Sequence, residues 1–188
     1  FQMFRKTAKI SVRISTSVFK SFSSAVHSQI AIIGGGSAGV NVAAQLLRNG
    51  VLPQHIRIFE PSKFHHYQPG WTTVAGGLSQ PSDYIESTSR MIPKSIQTTD
   101  IAVSQIDPAN RFVQTEDGSR WSYDHLVIAT GIQNNYDAIK GLYESLEDPE
   151  VPVATIYSQK SAQKWCSILE NFNGQKAIFT FPPLPIKC

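Results

Sequence analysis

Gly34, Gly36 and Gly39 are spaced as G-x-G-x-x-G, and the first acid in the chain, Glu60, follows 21 residues after Gly39. These residue types in this order suit the binding of a diphosphate. Gly34 permits a sharp turn, Gly36 lets backbone amides approach a pyrophosphate with no Cβ in the way, and Gly39 lets a helix pack closely on a strand. Ser37 and Ala38 fall in the first turn of that helix, where unpaired N–H groups and the positive dipole end face an anion. A carboxylate at Glu60 suits the hydroxyls of an adenosine ribose and repels a 2′-phosphate. Three glycines alone can simply connect two elements, so the motif gains meaning only in a strand–turn–helix–strand context.

That context is present. Residues 29–33 (QIAII) form a short apolar run that suits a buried parallel strand. Residues 38–49 carry Val40, Ala43, Ala44 and Leu47 at helical spacing, and Gly50 supplies a stop. Residues 55–59 (HIRIF) give a second strand that ends at Glu60. Residues 61–95 read as loop, broken by Pro61, Pro69, Pro81 and Pro93. Three short strands at 101–106, 111–115 and 120–123, joined by Asp-Pro-Ala-Asn and Glu-Asp-Gly-Ser turns, predict an antiparallel meander. Residues 125–129 (HLVIA) read as a separate parallel core strand. Ser158 caps a helix to about Phe172 with Ala162, Trp165, Cys166 and Leu169 on one face, and 177–181 (AIFTF) form a last strand. The expected fold is α/β: a Rossmann-like domain with a parallel sheet and a meander over 29–150, then the start of a second α/β domain over 151–188. A parallel strand at 177–181 has nothing after it to cover it, so the chain reads as the first part of a longer one.

The 188 residues are 41% hydrophobic and 16% charged, enough apolar content for a core, which excludes a disordered or collagen-like chain. Two cysteines are too few for a disulfide scaffold, and no metal-ligand spacing occurs. No run of 18 apolar residues predicts a membrane-spanning helix. The net charge of +3 belongs to residues 1–28, which hold Arg5, Lys6, Lys9, Arg13 and Lys20 and no acid. The remainder carries more acid than base, so no nucleic-acid partner is expected. The acid-free leader, rich in Ser, Lys and Arg, fits a mitochondrial transit peptide. His65 and His66 read as a solvated loop pair, with lining the edge of a bound cofactor as the alternative, and Cys166 as an inert core thiol.

The run Asp124–Gly131 ends a buried strand in Ala-Thr-Gly after the meander. It resembles the second FAD signature of flavoprotein reductases with two dinucleotide domains, where a small residue such as Gly131 approaches the cofactor again. With the glycine turn, this points to FAD. Residues 60–77 (EPSKFHHYQPGWTTVAGG) and 177–188 (AIFTFPPLPIKC) resemble the mitochondrial-type sulfide:quinone oxidoreductases. The resemblance runs from about Gln29 to Cys188. It implies that the 34–39 turn, with Ser37 and Ala38, holds the FAD phosphates and that Glu60 holds the ribose. It also implies that Gln68 contacts the flavin side and that the Val103 backbone contacts the adenine. Residue spacing alone singles out neither Gln68 nor Val103.

By the same resemblance, Cys188 matches the first of two redox cysteines, and the second lies beyond this chain. Sulfide would be oxidised there, with a persulfide left on cysteine, electrons passing through FAD to ubiquinone and sulfane sulfur passing to an acceptor. Family members attach peripherally to the inner mitochondrial membrane through C-terminal segments. Against a nicotinamide donor, Pro182, Pro183 and Pro185 follow the last expected strand where a second glycine turn would be needed. The 188 residues alone are expected to show little or no sulfide oxidation. The alternatives are a flavin-binding module without turnover because truncated, and an NADH:quinone reductase relative.

Overall fold

The structure, a computed structural model, describes residues 26–180. The leader up to residue 25 and the end from Phe181, including the three prolines and Cys188, lie outside the described residues.

The glycine motif joins strand β1 (Val26–Ile33) to helix α1 (Ser37–Arg48), and β2 (Ile56–Phe59) follows. β1 begins three residues before the apolar run that marks it in the sequence. α1 stops as a Schellman motif: Gly50 takes φ +85, its amide donates to the Leu47 carbonyl at 3.0 Å, and the Val51 amide donates to that of Leu46 at 3.0 Å. The segment expected as loop contains β3 (Phe64–His66), α2 (Gly70–Ala75), β4 (Ile85–Ser87), α3 (Thr88–Met91) and β5 (Gln97–Thr99). β3 and β4 pair antiparallel as a small separate sheet, while β5 joins β2 in parallel. Elements of three to six residues between prolines are too short to show a period.

β6 (Val103–Asp107), β7 (Phe112–Thr115) and β8 (Arg120–Ile128) complete a six-stranded sheet in the order β5-β2-β1-β8-β7-β6. The meander and the parallel sheet are therefore one sheet. The sequence suggests a break at Asp124, yet β8 runs straight through it. β1 reaches back to Val26 and supplies a parallel partner along β8 from Trp121 to Ile128, while β7 pairs antiparallel with Arg120, Trp121 and Ser122.

Alternation along β1 and β2 sorts the two faces. Ile32, Ile56 and Ile58 pack with Ala43 of α1 and with Ile92 and Ile96. On the other face Ala31, Ile33 and Phe59 pack with Val113 and Tyr123. Arg57 lies over the Trp121 ring at 4.3 Å and reaches Ser28, Thr99 and Gln97, and its partial burial pulls its pKa below the usual value. A third cluster seats α2 on α5 (Gln159–Glu170) through Trp71, Val74, Ala75 and Ala162. The Ser158 side chain caps α5 by accepting from the Ser161 amide at 3.3 Å.

One expected element is absent. Residues 177–180 form no strand, and Ile178 and Phe179 are exposed. An apolar run becomes a strand only beside a free ladder edge, and the edges of the large sheet are β5 and β6, which this segment does not join. Phe179 instead meets the Trp165 ring at 5.9 Å.

Candidate cofactor site

After β2 the chain adds β5 on one side of β1–β2, then returns to place β8 on the other side of β1. The crevice at the carboxyl ends of β1 and β8 is thus a topological switch point, where open α/β sheets bind ligands. The glycine turn occupies it. The Gly34 amide donates to the Phe59 carbonyl at 2.9 Å, and Gly34 takes φ +101 where a Cβ would overlap the Ala129 carbonyl. A Cβ on Gly39 would overlap the Gly34 carbonyl oxygen. Gly36 is different, since a Cβ there would meet nothing within 4 Å.

Gly36 is also the cap position of α1, with no side chain to satisfy the helix's first amides and no acid in the first turn. Ser37 and Ala38 are exposed beside it. The result is an open cradle of backbone donors at a positive helix end.

Glu60 turns toward this cradle. Its Oε2 accepts from the Gly35 amide at 2.7 Å and its Oε1 from the Ser62 amide at 2.7 Å. A carboxylate has about four lone-pair positions, so each oxygen keeps one for a ribose hydroxyl. A Cβ on Gly35 would crowd Glu60 Cβ and Cγ at 2.9 Å, so the middle glycine of the Gly34–Gly36 run is also needed. The motif spacing does not single out Gly35, although the Gly-Gly-Gly run itself was a signal.

The remaining sites divide. Val103 opens β6, pairs with Thr115 and packs on the face that carries Phe59, the residue before Glu60. Gly131 takes φ +71 in open space, so backbone conformation is what calls for glycine there. Gln68 lines a cleft of about 380 Å³ with Ile132, Gln133, Tyr136, Tyr143 and Tyr157, and no residue of the glycine turn lines it. Its Nε2 donates to the Tyr157 carbonyl at 3.5 Å. None of these cleft partners carries a sequence signal, because residues distant along the chain build it. The loop bearing Gln68 is pinned below by Tyr84: the Tyr67 amide donates to the Tyr84 carbonyl at 2.8 Å, and a Cβ on Gly70 would overlap the Tyr84 ring. Hydrogen bonds with Ser79 and Thr73 hold the Tyr84 hydroxyl below its ordinary pKa.

Residues 28–169 match the family of pyridine nucleotide-disulphide oxidoreductases. The chain belongs to that family. Its sequence is 36% identical to the mitochondrial sulfide:quinone oxidoreductase of Mus musculus over 86% of this chain and 35% of that protein. It is 34% identical to the one from Schizosaccharomyces pombe over 93% of this chain and 41% of that protein. The chain therefore spans well under half the length of these relatives. Among solved structures, the sulfide:quinone oxidoreductase of Aquifex aeolicus superposes with a TM-score of 0.61 at 26% identity, covering 78% of this chain and 32% of that one. As a pyridine nucleotide-disulphide oxidoreductase the chain is an FAD flavoprotein, and the open cradle at Gly36 with its inward-facing acid fits the diphosphate and ribose of that cofactor.

Two sequence readings are corrected by the structure. His65 is not a solvated loop residue: it is buried in β3, with Nδ1 3.4 Å from the Gly35 carbonyl, while His66 is exposed. Cys166 is half-buried rather than core, because α5 turns it toward the edge of α2 near Gly77. Desolvation and the nearby Glu170 carboxylate push its thiol pKa up, which disfavours the thiolate. Among the described residues no group of three or more His, Cys, Asp or Glu could hold a metal, and no helix is long and apolar enough to cross a membrane.

Proposed function

We propose that this chain is the FAD-holding part of a sulfide:quinone oxidoreductase acting in mitochondria. Hydrogen sulfide gives up two electrons, ubiquinone takes them, and the sulfane sulfur leaves to an acceptor. Bound FAD supplies two-electron chemistry between the two substrates. The chain's own residues bind and orient. The amides around Gly34, Gly36, Ser37, Ala38 and Gly39 hold the diphosphate, and Glu60 holds the ribose. The Val103 backbone faces the adenine. Gly131 and Gln68 border the flavin end, and Cys188 is the sulfide-facing redox cysteine. Attachment to the membrane is peripheral.

The observation that carries this reading is the Glu60–Gly35 hydrogen bond beside the open side of Gly36. The similarity to mitochondrial sulfide:quinone oxidoreductases supports the choice of sulfide and quinone. The chain covers 35% of the mouse relative, which favours a second reading, a flavin-binding module without turnover. The 188 residues alone are expected to hold flavin and oxidise little or no sulfide under either reading. The deciding measurement therefore uses a protein spanning the relatives' full length, saturated with FAD under nitrogen. Bleaching of its flavin bands by sulfide and not by NADH is the result expected of the enzyme. Stable flavin binding by that longer protein with no response to sulfide selects the module. Failure to take up flavin removes both.

A further inference from the structure

Strand β3 is packed inside out. Its burial alternates so that Phe64 is 61% exposed while His65 between Phe64 and His66 is 8% exposed. Simple burial of apolar surface favours the opposite arrangement. Nor does His65 serve its cross-strand neighbour Glu86, whose carboxylate is engaged by Arg90 at 3.0 Å and by the Ser87 amide at 2.8 Å. The His65 ring instead directs Nδ1 at the Gly35 carbonyl, 3.4 Å away. A carbonyl only accepts, so Nδ1 carries the proton.

The two peptide groups flanking Gly35 are therefore both held by side chains. Glu60 fixes the one before it through the Gly35 N–H, and His65 fixes the one after it through the Gly35 C=O. In a trans peptide the C=O of one residue and the N–H of the next point in opposite directions. Holding the Gly35 carbonyl inward turns the Gly36 N–H outward. A Cβ at Gly36 meets nothing within 4 Å, so the turn is open at this residue.

We infer that His65 is a positioning residue for the cofactor diphosphate, acting through the Gly35–Gly36 peptide to present the Gly36 amide to phosphate. Glycines at both positions make this peptide free to flip, and the imidazole removes that freedom. The inference rests on the FAD assignment above, and the test separates the two.

The 188-residue chain and its His65→Phe, His65→Asn and His65→Gln variants are titrated with FAD, ADP and adenosine. Flavin fluorescence reports FAD, and ligand-observed NMR reports the other two. Losing one buried donor weakens FAD and ADP binding by about tenfold in His65→Phe. Adenosine, which keeps the ribose and lacks the diphosphate, binds unchanged. The Asn amide nitrogen falls near the Nδ1 position and restores most of the affinity, whereas the Gln amide, nearer the Nε2 position, does not. If His65→Phe fails to fold, the Asn–Gln contrast carries the same test. Equal FAD affinity in all variants, equal weakening toward ADP and adenosine, or no advantage of Asn over Gln overturns the inference. If the unaltered chain takes no FAD, the cofactor reading fails and this one with it.

Discussion

The glycine turn and the Gln68 cleft are two ends of one expected cofactor track, and they are built differently. At the turn, glycine backbone meets backbone or the root of a side chain. Gly34 presses on Ala129, Gly39 on Gly34, and Gly35 on Glu60, each too closely for a side chain. At the cleft, exposed loop residues, Ile132 and Gln133, stand around a space of about 380 Å³, and Gln68 reaches across it by a single long hydrogen bond. A diphosphate presents the same shape in every dinucleotide, so a rigid cradle suits it. Chemistry varies at the other end, where loops on a rigid scaffold are free to differ.

The sharpest way to break this contrast is within the turn itself. Gly39→Ala forces a Cβ into the Gly34 carbonyl, and we expect it to abolish flavin retention and lower the melting temperature together. Gly36→Ala places its Cβ in open space at an ordinary φ of −71°. It is expected to melt like the parent and to lose most FAD binding, because the methyl fills the cradle. Should Gly36→Ala bind FAD normally, the open side of Gly36 is not the phosphate side.

A smaller loss is expected at the acid. Glu60→Gln keeps the shape, yet a neutral amide accepts more weakly from the Gly35 and Ser62 amides. Hydrogen bonds to a charged group are worth about 1.5–3 kcal/mol, so FAD affinity is expected to fall by roughly tenfold to a hundredfold with modest destabilisation. Equal affinity by fluorescence titration would show that the ribose is held elsewhere.

The smallest effect belongs to the cleft. Gln68→Ala removes one exposed bond of 3.5 Å, so FAD affinity is expected to change by less than threefold. If Gln68 borders the flavin ring, the visible bands of the bound cofactor shift while affinity holds. A large loss of affinity would move Gln68 into the binding machinery and erase the contrast between the two ends.

The sequence shows the turn more clearly than the cleft for the same physical reason. Gly34, Gly36, Gly39 and Glu60 lie within one βαβ unit, so local spacing encodes their meeting. Ser158 as a helix cap is equally local. The cleft joins Gln68 to Tyr157, 89 residues apart in the chain, and only the packing of α2 on α5 brings them together. His65 is hidden because its burial contradicts its polarity, and the continuity of β8 because Asp124 looks like an interruption. Strand length there is set by the partner β1 rather than by β8's own residues.

That shared strand couples the two turns mechanically. The Ala129 amide donates to the Ile33 carbonyl at 2.8 Å, one peptide before Gly34 and two residues before Gly131. Fraying at either turn must therefore pull on the same rung, so the phosphate grip and the Ala-Thr-Gly bend release as one unit. Amide hydrogen exchange at Gly34 and Ala129 should keep a common pace even where the loops above the cleft exchange freely.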